Sequence, residues 1–184
     1  FQGCKIWGGV PVPARPANSS GKYRDVGIDY DDEGNLTDGN YTSNNAYGIF
    51  LGPHFTASLI ADNIFEKLTM AVAYEGAVSG NVTSYNYMGQ MWWKDTGGDY
   101  PQRFGPLMHG GHPMMNLLEG NYSIERFRAD DAWGSSSHFT LLRNKFARRT
   151  RGTPCAQGWV VDLERHNTYY NFLGNILGTG GMES

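Results

Sequence analysis

Histidines and aspartates recur at matching distances before a repeated asparagine in the second half of the chain. One set lies 12 or 13 residues before the asparagine: His109, Asp131 and Asp162. A second set lies nine residues before it: His112, Ser135 and His166. Asp130 and His138 fall close to both sets. If the repeats stack in register about 4.8 Å apart, these side chains form two neighbouring columns on one surface.

Carboxylates and imidazoles on one surface suit several chemistries. Two carboxylates can share the acid and base roles of glycoside hydrolysis. Carboxylates can instead hold a calcium ion against a uronate while a base removes the adjacent proton. A serine triad can be assembled from Ser135, but no nucleophile-elbow sequence accompanies it. The structural alternative is that the histidines are satisfied turn residues and the aspartates cap backbone amides. The candidate catalytic residues are His109, His112, Asp130, Asp131, His138 and Asp162.

The repeated asparagine indicates which elements must position these groups. An apolar residue stands three positions before each one: Ile60, Val78, Leu118, Leu141 and Phe172 precede Asn63, Asn81, Asn121, Asn144 and Asn175. Asparagine tolerates the left-handed backbone region, and its amide can bond neighbouring backbone groups. Each unit is therefore predicted to be a short buried strand, a tight turn at asparagine and another short strand. Asn121 and Asn144 are expected to be buried, with bonded side-chain amides.

The intervals between these asparagines, 18, 40, 23 and 31 residues, predict a solenoid of six to eight coils. Over about residues 55 to 178 the chain resembles the right-handed parallel β-helix, or pectate-lyase-like, superfamily. The Asp130-Asp131 pair and the segment 109–112 resemble motifs of polygalacturonases, but the rest of that pattern is absent. The resemblance implies an all-β fold and a polysaccharide lyase or glycoside hydrolase acting on an acidic polysaccharide. The alternative is a non-enzymatic carbohydrate-binding, adhesive or structural surface protein.

Insertions at about residues 10–45 and 86–111 are predicted to project from one β-helix domain spanning residues 1–184. The second insertion carries Trp92 and Trp93, which could stack on sugar rings or pack within their own loop. Arg143 is a candidate contact for an anionic glycan. The acidic run 29–35 leaves calcium open as a cofactor, although the late glutamate of an EF-hand loop is missing.

Composition limits the function classes. The 184 residues include 25 glycines and 11 tyrosines, which favours a turn-rich all-β protein. The net charge of −3 argues against a nucleic-acid partner. No apolar run approaches the roughly 20 residues of a membrane span. The chain opens without Met and is predicted to be a fragment or processed product, extracellular or at the cell surface. Polysaccharide is the expected partner, and self-association stays open.

Overall fold

The computed structural model describes residues 5–7, 23–25, 28–30, 47–66, 68, 70–89, 91, 93–94, 101–102, 104–147 and 159–178. Within these residues every regular element is a β-strand, and most strands belong to three parallel sheets. The all-β prediction is confirmed, and the arrangement is that of a β-solenoid. None of the described residues forms a helix with the length and apolar character needed to cross a bilayer.

The strands are short, as the sequence predicts. In chain order they are β1 (Lys5–Trp7), β2 (Tyr23–Asp25), β3 (Ile28–Tyr30), β4 (Tyr47–Leu51), β5 (Leu59–Ala61), β6 (Ile64–Glu66), β7 (Met70–Tyr74), β8 (Val82–Ser84), β9 (Tyr87–Gly89), β10 (Trp93–Lys94), β11 (Pro101–Gln102), β12 (Phe104–Met108), β13 (Leu117–Glu119), β14 (Tyr122–Ser123), β15 (Arg126–Ala129), β16 (Thr140–Leu142), β17 (Lys145–Phe146), β18 (Val161–Leu163), β19 (Asn171–Leu173) and β20 (Ile176–Leu177).

Each coil contributes one strand to each parallel sheet. Sheet 1 is β4-β7-β12-β15-β18, sheet 2 is β5-β8-β13-β16-β19, and sheet 3 is β1-β6-β9-β14-β17-β20. Two antiparallel pairs, β2 with β3 and β10 with β11, lie outside these sheets. Five coils pass through all three sheets within the described residues, and β1 adds one further strand to sheet 3. The six to eight coils expected for the whole chain stay a prediction. The coils differ in length. Asn63, Asn86, Asn121, Asn144 and Asn175 occupy equivalent positions in the five coils, and they lie 23, 35, 23 and 31 residues apart.

The core lies between the three sheets. All five residues of β7 are buried, and Phe65, Tyr74, Phe127 and Phe146 are among the largest fully buried side chains. Full burial of a large apolar side chain contributes about 1.5–3 kcal/mol. Because each strand is only two to five residues long, this shared core stabilises a strand that could not persist alone.

An asparagine ladder forms the corner between sheets 2 and 3. Its members are Asn63, Asn86, Asn121, Asn144 and Asn175. The Nδ2 of each of the first four donates to Oδ1 of the next member at 2.9–3.1 Å. The same Oδ1 also accepts the backbone N–H of the preceding member. Asn121 and Asn144 are each 1% exposed, so the predicted buried, bonded ladder is confirmed for both.

Asn81 does not belong to this ladder, which corrects the predicted alignment. It lies at the corner between sheets 1 and 2 and bonds Asn116 Oδ1 at 2.9 Å. The second coil supplies Asn86 to the main ladder instead. Below Asn116 the equivalent positions hold Phe139 and Tyr170, whose rings stack with centroids 5.4 Å apart. An aromatic stack therefore replaces the second ladder in the last two coils.

The second insertion is shorter than predicted. β9 and β12 belong to the coils, so residues 86–89 and 104–111 are not part of it. The excursion between coils covers residues 90–103, of which the structure describes Met91, β10 and β11. Phe104 is 2% exposed, so it packs within the protein and is not a loop aromatic.

Candidate functional site

The candidate site lies on the turns between sheets 1 and 2, called here the site turns. They span residues 52–58, 75–81, 109–116, 130–139 and 164–170 in the five coils. Three of them contain seven residues, whereas the third contains eight and the fourth contains ten. The two longer turns begin with His109 and Asp130. The local insertions therefore lie where the sequence predicted catalytic residues.

His109 and Asp130 form a hydrogen-bonded pair. His109 Nδ1 lies 2.6 Å from Asp130 Oδ2, and Trp133 Nε1 donates to His109 Nε2 at 3.1 Å. Because an indole N–H can only donate, Nε2 must be the acceptor and Nδ1 carries the proton. The Asp130 side chain is 6% exposed and that of His109 is 22% exposed, whereas Trp133 is 74% exposed. The pair therefore joins a buried carboxylate to a surface indole.

Glycines bring Trp133 against the preceding coil. Gly110 has a φ of +80°, and a Cβ placed there would lie 2.3 Å from Trp133 Cβ. Gly111 has a φ of +66° and donates its backbone N–H to the Trp133 carbonyl oxygen at 3.1 Å. A side chain at Gly110 would push Trp133 away from His109. The two glycines after His109 therefore allow Trp133 to approach closely enough to bond His109.

The residues beside this pair are acidic. The strand register places Glu75, His109, Asp130 and Glu164 at equivalent positions, directly after the sheet 1 strands β7, β12, β15 and β18. Hydrogen bonding to Asp130 raises the pKa of His109, against the opposing effect of partial burial. Burial raises the pKa of Glu75. The column thus contains an imidazole with increased basicity beside a carboxyl group that holds its proton to higher pH.

The predicted first column is wrong in two of its three members. Asp131 is one residue past the column and instead bonds Arg165 Nε at 2.8 Å, which lowers the pKa of Asp131. Asp162 lies within β18, where its carboxylate is 3.7 Å from Arg126 and from Arg128. The count failed because the turn between the column and the ladder has different lengths in different coils.

The second predicted column is in register. Parallel bridges join Met114, Ser137 and Thr168, so His112, Ser135 and His166, two residues earlier, occupy equivalent turn positions. Among the described residues no hydrogen bond or ion pair joins these three. His112 Nε2 lies 3.3 Å from Ser137 Oγ. His138 stacks on Tyr169 with ring centroids 4.7 Å apart. The structure does not bring His112 or His138 into the His109–Asp130 pair.

Of the predicted substrate contacts, only Arg143 can be located relative to this site. Arg143 lies at the opposite corner, between sheets 2 and 3, and it is exposed. Trp92 and the side chain of Trp93 lie outside the described residues. Most of the predicted calcium loop, from residue 31 onward, also lies outside them. Within the described residues, His, Cys, Asp and Glu form no group of three that could hold a metal ion.

Three site residues were missed from the sequence: Glu75, Trp133 and Glu164. Trp133 had a visible signal, because it is a lone tryptophan in a Gly- and Ser-rich segment directly after the Asp130-Asp131 pair. Glu75 follows the buried run of β7, as His109 follows β12. Glu164 follows β18 in the same way. Alignment on strand ends would have found both glutamates.

The arrangement can move protons next to a flat aromatic surface. If the indole moves away, His109 Nε2 becomes an accessible base, and Asp130 stabilises the imidazolium that forms. Glu75 can supply a proton from the neighbouring coil.

No family model, curated protein or solved structure matches this chain.

Proposed function

We propose that this protein is an extracellular, polysaccharide-cleaving β-solenoid whose active surface surrounds His109. The observation that carries the proposal is the 2.6 Å contact between His109 Nδ1 and Asp130 Oδ2, which joins two neighbouring site turns, the second of which also presents Trp133. Imidazole–carboxylate pairs suit general base catalysis, and exposed indoles suit the C–H faces of sugars. These features support a carbohydrate substrate over a small polar one.

His109 is the proposed base and Glu75 the proposed acid. In hydrolysis, His109 Nε2 takes a proton from water, and the water oxygen bonds the anomeric carbon. The glycosidic C–O bond breaks, and Glu75 gives its proton to the departing oxygen. The raised pKa of Glu75 supports this role, because a general acid must be protonated when the bond breaks.

Hydrolysis is better supported here than elimination. Elimination from a uronate needs a positive charge close to the sugar carboxylate. The neighbouring Arg128 instead pairs with Glu164 and Asp162. The carboxylates of Asp130 and Glu164, in the same column, would repel a uronate placed directly over His109. An acidic polysaccharide would therefore bind with its charged groups away from this column.

A non-enzymatic carbohydrate-binding function is the second candidate. The Trp133 indole occupies His109 Nε2, so the proposed base is blocked by an internal hydrogen bond. The stacked pair of His138 and Tyr169 adds a second aromatic surface, with Tyr169 72% exposed. Such turns could hold a glycan without cleaving it.

The finer fold assignment belongs to the same proposal. Three stacked parallel sheets and buried asparagine ladders support a right-handed parallel β-helix of the pectate-lyase-like type. Many unrelated activities share one fold, so this assignment supports a polysaccharide substrate only by analogy. The chemistry of the site turns carries the functional argument.

The test is cleavage of polygalacturonate, alginate and xylan by the purified protein. New reducing ends report hydrolysis, and ultraviolet absorbance of an unsaturated product reports elimination. We expect reducing ends without unsaturation. His109→Gln and Glu75→Gln should each lower kcat by about 100-fold or more, as general acid–base groups do.

His54→Gln is the matched control. His54 is exposed in the site turn of the first coil, at a φ of +69°, and belongs to no part of the proposed machinery. Full activity of His109→Gln would contradict the enzymatic proposal. If the wild-type protein cleaves none of the three, binding of each polymer should be compared between wild type and Trp133→Ala. A loss of binding in Trp133→Ala would establish the second candidate.

A further inference from the structure

The corner between sheets 2 and 3 carries a second set of exposed aromatic and cationic side chains, here called the corner patch. It consists of Tyr85, Tyr122, Arg143 and Lys145, with Tyr87 at its edge. Tyr85 is 59% exposed and Tyr122 is 41% exposed. These residues come from the second, third and fourth coils, so the patch runs along the axis of the solenoid.

The patch is internally ordered. The Tyr87 and Tyr122 rings meet edge to face with centroids 5.7 Å apart. Lys145 Nζ lies 4.8 Å from the centre of the Tyr122 ring. Tyr85 lies over Gly120, where a Cβ would fall 2.5 Å from the Tyr85 ring. The tyrosines are thus held in fixed positions although they face solvent.

Backbone conformation gives an independent reason to assign a function to this surface. The residue before each ladder asparagine has a positive φ in every coil, and two coils use glycine there, Gly120 and Gly174. Tyr85 and Arg143 occupy the same position with φ values of +54° and +55°. A large side chain is disfavoured in this region, and strain of this kind clusters at functional sites. Burial of the side chain does not offset this backbone strain at Tyr85 or Arg143, since both side chains are exposed.

Charge points to the ligand class. In the described part of the chain, neither Arg143 nor Lys145 pairs with a carboxylate. The carboxylates near the corner are Glu119 on sheet 2 and Asp62 and Glu66 in the first coil. Two adjacent cations beside tyrosine rings favour a ligand that combines anionic groups with apolar faces.

We propose that the corner patch binds one chain of an acidic polysaccharide along the solenoid axis. Strands repeat about every 4.8 Å along this axis, which is close to the length of one sugar residue. Sugar rings would pack on Tyr85 and Tyr122, while their carboxylates or sulfates face Arg143 and Lys145. This binding does not depend on His109 or on cleavage. Single-stranded nucleic acid is less well matched, because two cations neutralise few phosphates.

The experiment measures binding of polygalacturonate by isothermal titration calorimetry, with His109→Gln as the background to prevent cleavage. Tyr122→Ala and Arg143→Gln should each weaken binding about fivefold. The double change of Arg143 and Lys145 to Gln should also remove most of the salt dependence. Tyr85→Ala provides an exposed variant if Tyr122→Ala fails to fold. Phe50→Ala is the aromatic control, since Phe50 is 50% exposed on β4 of sheet 1 and belongs to neither the site turns nor the corner patch.

Several outcomes would overturn the proposal. One is binding of neutral dextran as tightly as polygalacturonate, and another is tighter binding of poly(U) than of either polysaccharide. Unchanged affinity in both Tyr85→Ala and Arg143→Gln would also reject it. Loss of cleavage in His109→Gln with retained binding would separate this surface from the proposed active surface. Retained cleavage in Arg143→Gln with weakened binding would support both proposals.

Discussion

Each coil has two turns that can carry a ladder asparagine: the corner between sheets 2 and 3, here called the constant corner, and the site turn. Both place a residue with positive φ immediately before the ladder position. The corner between sheets 2 and 3 has two residues in all five coils and keeps its asparagine throughout. The site turns vary from seven to ten residues and lose their asparagine after Asn116. A constant corner preserves the register, and a variable one can accept inserted residues.

The site turns of the third and fourth coils tolerate inserted residues because strand pairing holds the backbone before and after each turn. Sheet 1 ends one residue before His109 and Asp130, and the bridges resume at Met114 and Ser137. The intervening backbone can therefore bulge without shifting either sheet. This is how Trp133 reaches His109 without disturbing the core. Loops on a rigid scaffold commonly carry function for the same reason.

A large loss of stability is expected at the constant corner. Asn121→Leu removes bonds to Thr83 O (2.8 Å) and Asn144 Oδ1 (2.9 Å) and the acceptor for two N–H groups of Asn86. Several buried polar groups then lose partners at about 1–3 kcal/mol each. We expect the free energy of unfolding to fall by about 4 kcal/mol in urea titration. A loss below about 1 kcal/mol would contradict the structural importance of the ladder.

The site turn of the fourth coil should partly tolerate the replacement of its stacked aromatic residue by a ladder asparagine. Phe139→Asn places an asparagine below Asn116 and loses the ring stack with Tyr170. New amide bonds should offset part of the lost packing, so we expect a cost of about 2 kcal/mol. Phe139→Ala, which offers no such bonds, should cost about 3–5 kcal/mol. Equal urea midpoints for the two variants would show that asparagine cannot extend this ladder.

The sequence predicted the constant corner better than the variable one, for a physical reason. A left-handed residue followed by asparagine is a local signal, so Asn121 and Asn144 could be placed from their neighbours alone. The His109 column lies across the turn of variable length, so a fixed count from the ladder selected Asp131 and Asp162 wrongly. The second column escaped this error because its residues follow the insertions, close to the bridges.

A better register was present in the sequence. Asn81 and Asn86 are separated by five positions, as are Asn116 and Asn121. Pairing these spacings would have assigned Asn81 to the second ladder and Asn86 to the first. The contact between His109 and Trp133 could not be predicted this way, because it depends on the close approach that Gly110 permits.

The His109 pair should give the site turn a pH dependence that the constant corner lacks. Because the folded pKa of His109 is raised, its stabilising effect is fully present below the unfolded value of about 6.5. It is lost as the pH rises through the folded pKa. The difference in the free energy of unfolding between wild type and His109→Gln should therefore increase as the pH is lowered. Chemical denaturation between about pH 5.5 and pH 8.5 measures it.

Protonation should also release Trp133. The Nε2 atom of a charged imidazole is a donor, so it can no longer accept the indole N–H. We expect the Trp133 indole resonance in ¹⁵N NMR, assigned with Trp133→Phe, to shift as His109 titrates. An unmoved indole signal across this titration would contradict the hydrogen bond between the two side chains.

The smallest expected effect is that of Arg143→Gly, which tests whether a binding residue at the constant corner lowers the stability of the fold. At Arg143 the φ of +55° is unfavourable for a large side chain, whereas Gly174 occupies the equivalent position in the next coil without strain. Arg143→Gly should relieve that strain but increase the entropy of the unfolded chain, for a net gain of up to about 1 kcal/mol. The same variant should bind acidic polysaccharide less tightly. If Arg143→Gly loses stability and keeps its affinity, Arg143 is a structural residue, and strain at this corner does not mark a binding surface.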